Sequence, residues 1–226
     1  MKAIIFDSST LISFAMNGLL DYLRELKKVF DGKFLMTDEI KEEVIDKPMK
    51  INRFKLEGLM IKQLLDEKVL EMYGSLNINR NELNKETEDI MNIANSTLKD
   101  KNKNIHLIHN GESSCLALSK ILTKKGIKNV ISIDERTTRM LCEKPENLRK
   151  LMEKKLHTTL KANAENYSYF KGFRIIRSTE LIYIAYKKKM IKLKNGGTIL
   201  DAFLYALKTH GCSISDEEIT EMKRMT

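Results

Sequence analysis

The chain has 226 residues, 42% hydrophobic and 31% charged, and its 40 Lys and Arg against 31 Asp and Glu give a net charge of +9. That length allows one sizeable core, and no apolar stretch approaches the roughly 20 residues of a membrane-spanning helix. The positive excess favours polyanionic partners such as RNA, the plain alternative being a lysine-rich solvated surface.

The first element is a short buried strand, Ala3–Phe6, that meets Asp7 after an apolar run too short for a secretory signal. Leu11 to Val29 then carries apolar residues at helical spacing, with Asp31–Gly32 as its stop. Lys33–Met36 reads as a second strand, after which Thr37 caps a helix running towards Pro48. Phe54–Met72 and Glu82–Leu98 follow as amphipathic helices, and Lys99–Asn104 as a charged loop. Asn110–Gly111 opens a helix that closes near Gly126, and Asn129–Ile133 is a strand that again ends in an aspartate, Asp134. A lysine-rich helical stretch leads to about Tyr169, followed by a strand over Phe173–Arg177. Helices around Leu181–Met190 and Ile199–His210 and a short capped C-terminal helix complete the chain. Strands alternating with helices predict an α/β fold, a three-layer α/β/α sandwich around a central parallel sheet. With neither repeat nor linker, residues 1–226 read as a single domain. Extra helices are expected in an insertion around 145–171 and in a C-terminal extension around 196–226.

In such sheets, sites form beyond the carboxyl ends of the strands, where Asp7 and Asp134 both fall. In "TDEIKEEV", Glu43 flanks the inward stripe of its helix while Glu42 points outward. Glu112 lies in the first turn of its helix and leans towards the packed face. Singly, each acid has a structural reading: a turn, a helix surface, or a helix N-terminus favoured by the dipole. Together, Asp7, Glu43, Glu112 and Asp134 could meet at one end of the sheet. A buried cluster of like charges persists only when protons or a cation neutralise it. Oxygen ligands without His or Cys suit Mg²⁺ or Mn²⁺.

Cys115, Cys142 and Cys212 are odd in number and lack CxxC spacing, which argues against disulfides and zinc and for a reducing cytoplasm. The four histidines form no metal-ligand motif; His106 and His109, three apart, read as structural. Lys187, Lys188 and Lys189, with Lys192 and Lys194 nearby, form the densest basic cluster, and Lys124, Lys125 and Lys128 another. These are possible phosphate contacts, against the reading of solvated helix ends. Tyr167, Tyr169 and Phe170 could stack on bases, although core packing carries more weight.

Four stretches, in order along the chain, resemble the PIN-domain ribonucleases, in particular a branch of small archaeal and bacterial proteins: "IIFDSSTLISF", "MTDEIKEEV", "NGESSCLALS" and "ISIDERTTRML"; the C-terminal "RSTELIYIAYKKKMI" and "GTILDAFLYALKTHGCSIS" also look like that branch's ending. The resemblance implies a PIN-like fold and a metal-dependent endoribonuclease that cuts single-stranded RNA with a metal-activated water. Asp7, Glu43, Glu112 and Asp134 would be the catalytic acids, with Asp7, Glu112 and Asp134 holding Mg²⁺ or Mn²⁺. Ser9 would support the site, and Glu135 and Glu180 would be secondary acids. An antitoxin-like protein or a second copy of the chain would be a further partner. The alternative is a degenerate PIN fold that binds RNA or protein without cutting. A haloacid-dehalogenase-like phosphatase would need an aspartate where Ser9 stands, and a dinucleotide-binding domain a Gly-rich first turn that "DSST" lacks.

Overall fold

The N-terminal apolar run folds as β1 (Lys2–Phe6), buried from Ala3 onward, in a computed structural model that describes residues 1–193 and 198–225. Along the chain follow α1 (Ser8–Met16), α2 (Leu20–Val29), β2 (Lys33–Met36) and α3 (Asp38–Lys41), which continues through a π-helical turn, Glu42–Asp46. Next come α4 (Lys55–Asp66), β3 (Glu71–Met72), α5 (Arg80–Asn95), the hairpin of β4 (Leu98–Asp100) and β5 (Lys103–Asn104), and α6 (Asn110–Lys124). β6 (Lys128–Ser132), α7 (Arg136–Glu143), α8 (Pro145–Leu156), β7 (Lys161–Ala162), α9 (Ala164–Tyr169) and β8 (Ile175–Ile176) lead to α10 (Ser178–Lys187), α11 (Ile199–Thr209) and α12 (Asp216–Arg224).

The predicted α/β class is the one observed. Five parallel strands form a sheet in the order β3-β2-β1-β6-β8, flanked by helices. β1 is central, paired along both edges with its faces under helices, so it is buried from Ala3 onward; that explains its unbroken apolar run. α6 packs on β1, β6 and α5, while α1, α2, α4 and α10 pack among themselves. One contiguous apolar core runs from Ala3 to Met222, with Phe6 and Phe34 meeting edge to face at 5.2 Å. Among the described residues, no helix is long and apolar enough to cross a membrane.

Several elements depart from the expected ones. Leu11–Val29 is two helices, broken where Gly18 takes a left-handed φ of 67°. Gly32 is no left-handed cap; it lies where a Cβ would come within 2.5 Å of both the Lys2 carbonyl oxygen and the Phe30 ring. Glu71–Met72, read as a helix end, is an edge strand, and Lys99–Asn104, read as a loop, is most of a β-hairpin. The segment 145–171 contains α8 and α9, and its β7 pairs with β4, so it is stitched to the body by a small second sheet. Only Ile175–Ile176 of the Phe173–Arg177 stretch pairs as a strand. The C-terminal helices fall as expected; Lys194 and positions 196, 197 and 226 lie outside the described residues.

The tight fit at Gly32 makes a direct test. Gly32→Ala should destabilise the fold by about 1–3 kcal/mol through overpacking, read as a fall in Tm of about 2–4 °C per kcal/mol. Gly74→Ala, which meets no atom within 4 Å, should leave Tm near that of the parent.

Candidate functional site

The chain leaves β1 towards β2 and β3 on one side, then returns to place β6 on the other. The order therefore reverses between β1 and β6, and the crevice beyond their carboxyl ends is the preferred binding position in an open α/β sheet. Phe6 is in register with Ser132, so Asp7 lies opposite Ile133 and Asp134 follows one residue further along the neighbouring strand; the strand ends adjoin, but the acids whose charges act on Asp7 are Glu112 and Glu43.

Asp7 is 2% exposed. It caps α1: the Ser9 N–H donates to its Oδ2 at 3.0 Å, and the Ser9 hydroxyl donates to the same oxygen. The Ser9 oxygen in turn accepts the Asp134 N–H at 3.0 Å, tying the two strand ends together. The other oxygen of Asp7, Oδ1, is buried without a partner. Burial pushes the Asp7 carboxyl up to about 7; the Ser9 bonds oppose this, and the charges of Glu112 and Glu43 add to it. Desolvation wins because the bonds reach only one of the two oxygens.

Glu43 and Glu112 come from helices joined by buried hydroxyls. Thr37, at the start of α3, and Ser114, in α6, lie 2.7 Å apart in a hydrogen bond. The backbone at Gly111 then approaches Glu43 so closely that a Cβ there would lie 2.9 Å from its Oε1. Glu43 sits in the π turn, half-buried, while Glu42 is exposed as expected. Glu112 is half-buried and accepts the His109 N–H at 3.1 Å, so part of its duty is to cap α6. Asp134 is 1% exposed; its Oδ1 accepts the Ser178 N–H at 2.7 Å from the start of α10, and its Oδ2 is buried without a partner.

Glu39 is an acid that the sequence reading missed. Its Oε2 is buried without a partner. The Cys115 thiol beneath the site is pushed well above its ordinary range, by burial first and then by Asp7, Glu112, Glu43 and Glu39. The available signal was position: Glu39 precedes Glu43 by four residues, about one helical turn.

The remaining expected residues divide. Ser9 is the bridge described above. Glu135 caps α7, accepting the Thr137 and Thr138 N–H groups at 2.7 and 2.8 Å. Glu180 is held by Arg177, which also pairs with Glu218 at 2.9 Å. Both lysine clusters lie away from the acids. Lys124 and Lys125 end α6, which begins at the site, and Lys128 begins β6, whose other end carries Asp134. A 15-residue helix spans about 22 Å. Lys187, Lys188 and Lys189 likewise lie at the far end of α10; Lys187 bonds the Met225 carbonyl and Lys124 bonds Glu86. Arg136 and Arg139, near the start of α7, line a cleft of about 390 Å³ with Arg177, Glu180 and Glu218. Phe170 and Tyr167 are buried, and the Tyr169 hydroxyl donates to Glu86, so this trio packs and pairs within the fold.

The donors are all oxygens, and unpartnered buried oxygens on Asp7 and Asp134 suit a hard cation in kind. As placed, no group of three or more His, Cys, Asp or Glu among the described residues could hold one metal ion. Comparison with protein-family models, curated proteins and solved structures gives no match.

The raised Asp7 carboxyl has a signature in the metal-free protein. The folded state keeps this proton up to about pH 7, while the unfolded chain releases it near 3.8. Stability from this group is therefore complete below the lower value, lost as pH rises through the window, and flat above it. Asp7→Asn should have the higher Tm at pH 8, by several degrees, and the gap should shrink towards pH 5. A constant or inverted gap in thermal unfolding would contradict the assignment.

Proposed function

We propose that this chain is a divalent-metal-dependent endoribonuclease of the PIN-domain kind that cleaves single-stranded RNA. The observation carrying this reading is the buried Asp7 carboxyl, with one oxygen unpartnered among other acids at the sheet's switch point. Asp7, Glu112 and Asp134 would hold Mg²⁺ or Mn²⁺, with Glu43 beside them. When bound, such an ion lowers the pKa of a water and stabilises charge on a phosphoryl group.

The chain's own groups supply the frame. Ser9 fixes one oxygen of Asp7 and leaves the other open. The Ser178 N–H orients Asp134 in the same way. The buried floor of β1 and β6 excludes water from beneath the carboxylates, which strengthens every charge interaction above it. Arg136 and Arg139 would take backbone phosphates, contacts that position a strand without reading its sequence.

A second reading has its own support. Glu112 and Asp134 already accept backbone N–H groups, and the acids do not close into a ligand group as placed. A PIN-like module that binds RNA, an antitoxin-like protein or a second copy without cutting would keep these acids as helix caps.

Labelled single-stranded RNA with Mn²⁺ separates the two. Under the nuclease reading the parent cleaves it, and Asp7→Asn is slower by at least about a hundredfold; equal cleavage by both proteins rejects the reading. Replacing Arg136 and Arg139 together by Ala should weaken RNA binding and flatten its salt dependence by about 0.7 in the log–log slope per lost contact. The same change at Lys124, Lys125 and Lys128 should leave cleavage unaltered.

A further inference from the structure

His106 and His109 lie on the segment that leads from β5 into α6, beside the acidic cluster, since the His109 N–H donates to Glu112 at 3.1 Å. Both are exposed. His106 Nε2 and His109 Nδ1 face each other at 3.1 Å, with ring centroids 4.5 Å apart and planes inclined by 50°, so the rings sit side by side.

The backbone carrying them is fixed without belonging to a helix or strand. Asn95 Oδ1 accepts the Leu107 and Ile108 N–H groups at 2.7 and 3.1 Å, and its amide donates to the Ile108 carbonyl at 3.1 Å. The Ile105 N–H donates to the Leu98 carbonyl at 2.8 Å. The His109 carbonyl accepts both the N–H and the hydroxyl of Ser113, at 3.0 and 2.7 Å. Leu107 and Ile108 are buried between the two rings in sequence, anchoring the segment from below.

Two imidazole nitrogens at this separation have the bite of a chelate. With metal–nitrogen bonds of about 2.0–2.1 Å, angles between 90° and tetrahedral place the nitrogens about 2.9–3.4 Å apart. Imidazole pairs favour late first-row ions over Mg²⁺ or Ca²⁺, and a pinned backbone leaves little ordering cost to binding.

We propose that His106 and His109 form a two-histidine site for a late first-row divalent cation, Zn²⁺ in particular, with a ligand set distinct from that of the adjoining oxygen cluster. Among the described residues no third side chain is placed to complete a protein ligand group, so water fills the remaining positions and the ion stays exchangeable. Binding needs both rings neutral, with His106 protonated on Nδ1 and His109 on Nε2. Starting from the neutral hydrogen-bonded pair, one proton moves to the far nitrogen of its ring and none is released.

The test is calorimetric titration of Zn²⁺ into the full chain with Mg²⁺ in large excess to occupy oxygen sites. Electron paramagnetic resonance of the Cu²⁺-loaded chain reads the ligand type. The expected result is one Zn²⁺ per chain, weakened at least about tenfold in His106→Ala and in His109→Ala, with nitrogen hyperfine structure from Cu²⁺. Asp7→Asn should retain the site, so loss of nuclease activity and loss of this site are separate outcomes. Unchanged affinity in both histidine variants, oxygen-only ligation of Cu²⁺, or no Zn²⁺ bound would overturn the proposal; circular dichroism confirms that the variants, altered only at exposed positions, are folded.

Discussion

A carboxyl group kept from water at the end of the central strand is the constraint around which this site is organised. Burying a carboxylate without a counter-charge is expensive, so the group either holds a proton or awaits a cation. The surroundings of Asp7 spread that cost. Ser9 satisfies one oxygen and α1 begins with its positive end beside it. Yet Glu43 and Glu112 are packed close enough to push the other way. An arrangement selected for stability alone would replace Asp7 by an amide or an apolar residue. Retaining repelling acids beneath helix starts favours a role for charge at this point.

Helix direction decides which basic residues can matter there. Elements that begin at the carboxyl end of the sheet necessarily finish at the opposite end, and α6 and α10 carry their lysines at their finishes. Lysine at a helix C-terminus is favoured by the dipole irrespective of any ligand. The net charge of +9 therefore says less about the site than its magnitude suggests. Arg136 and Arg139, by contrast, stand near the start of α7, against the dipole preference and just after Asp134 in the chain.

Much of the fold was legible because its signals are local. The apolar run of β1, the Thr37 cap and the Ser215 capping box each act within a few residues. That Asp7 and Asp134 end adjoining strands of one parallel sheet also followed from the pattern of apolar runs. What escaped was set by distant partners. Glu71–Met72 becomes a strand only because Leu35 and Met36 offer an edge, and Leu98–Lys99 because Lys161–Ala162 does. Gly32 resembled a helix stop, but its reason is the Lys2 carbonyl on the neighbouring strand. Glu39 was passed over because its neighbour Glu43 already filled the expected position. The capping of α7 by Glu135 and the pairing of Glu180 with Arg177 could not be separated from ligand roles without coordinates.

The π turn at Glu42–Asp46, closed by the Lys47 N–H on the Glu42 carbonyl at 2.9 Å, carries one residue more per turn than the helix leading into it. Successive residues of an α-helix advance by about 100°, so this surplus acts as a phase shift that lets adjacent Val44 and Ile45 both face the interior. Trimming a single residue from the stretch would restore ordinary pitch and rotate everything downstream out of step with the sheet. Segments built this way tolerate changes of letter better than changes of count, and here the carboxylate of Glu43 is placed by arithmetic as much as by packing.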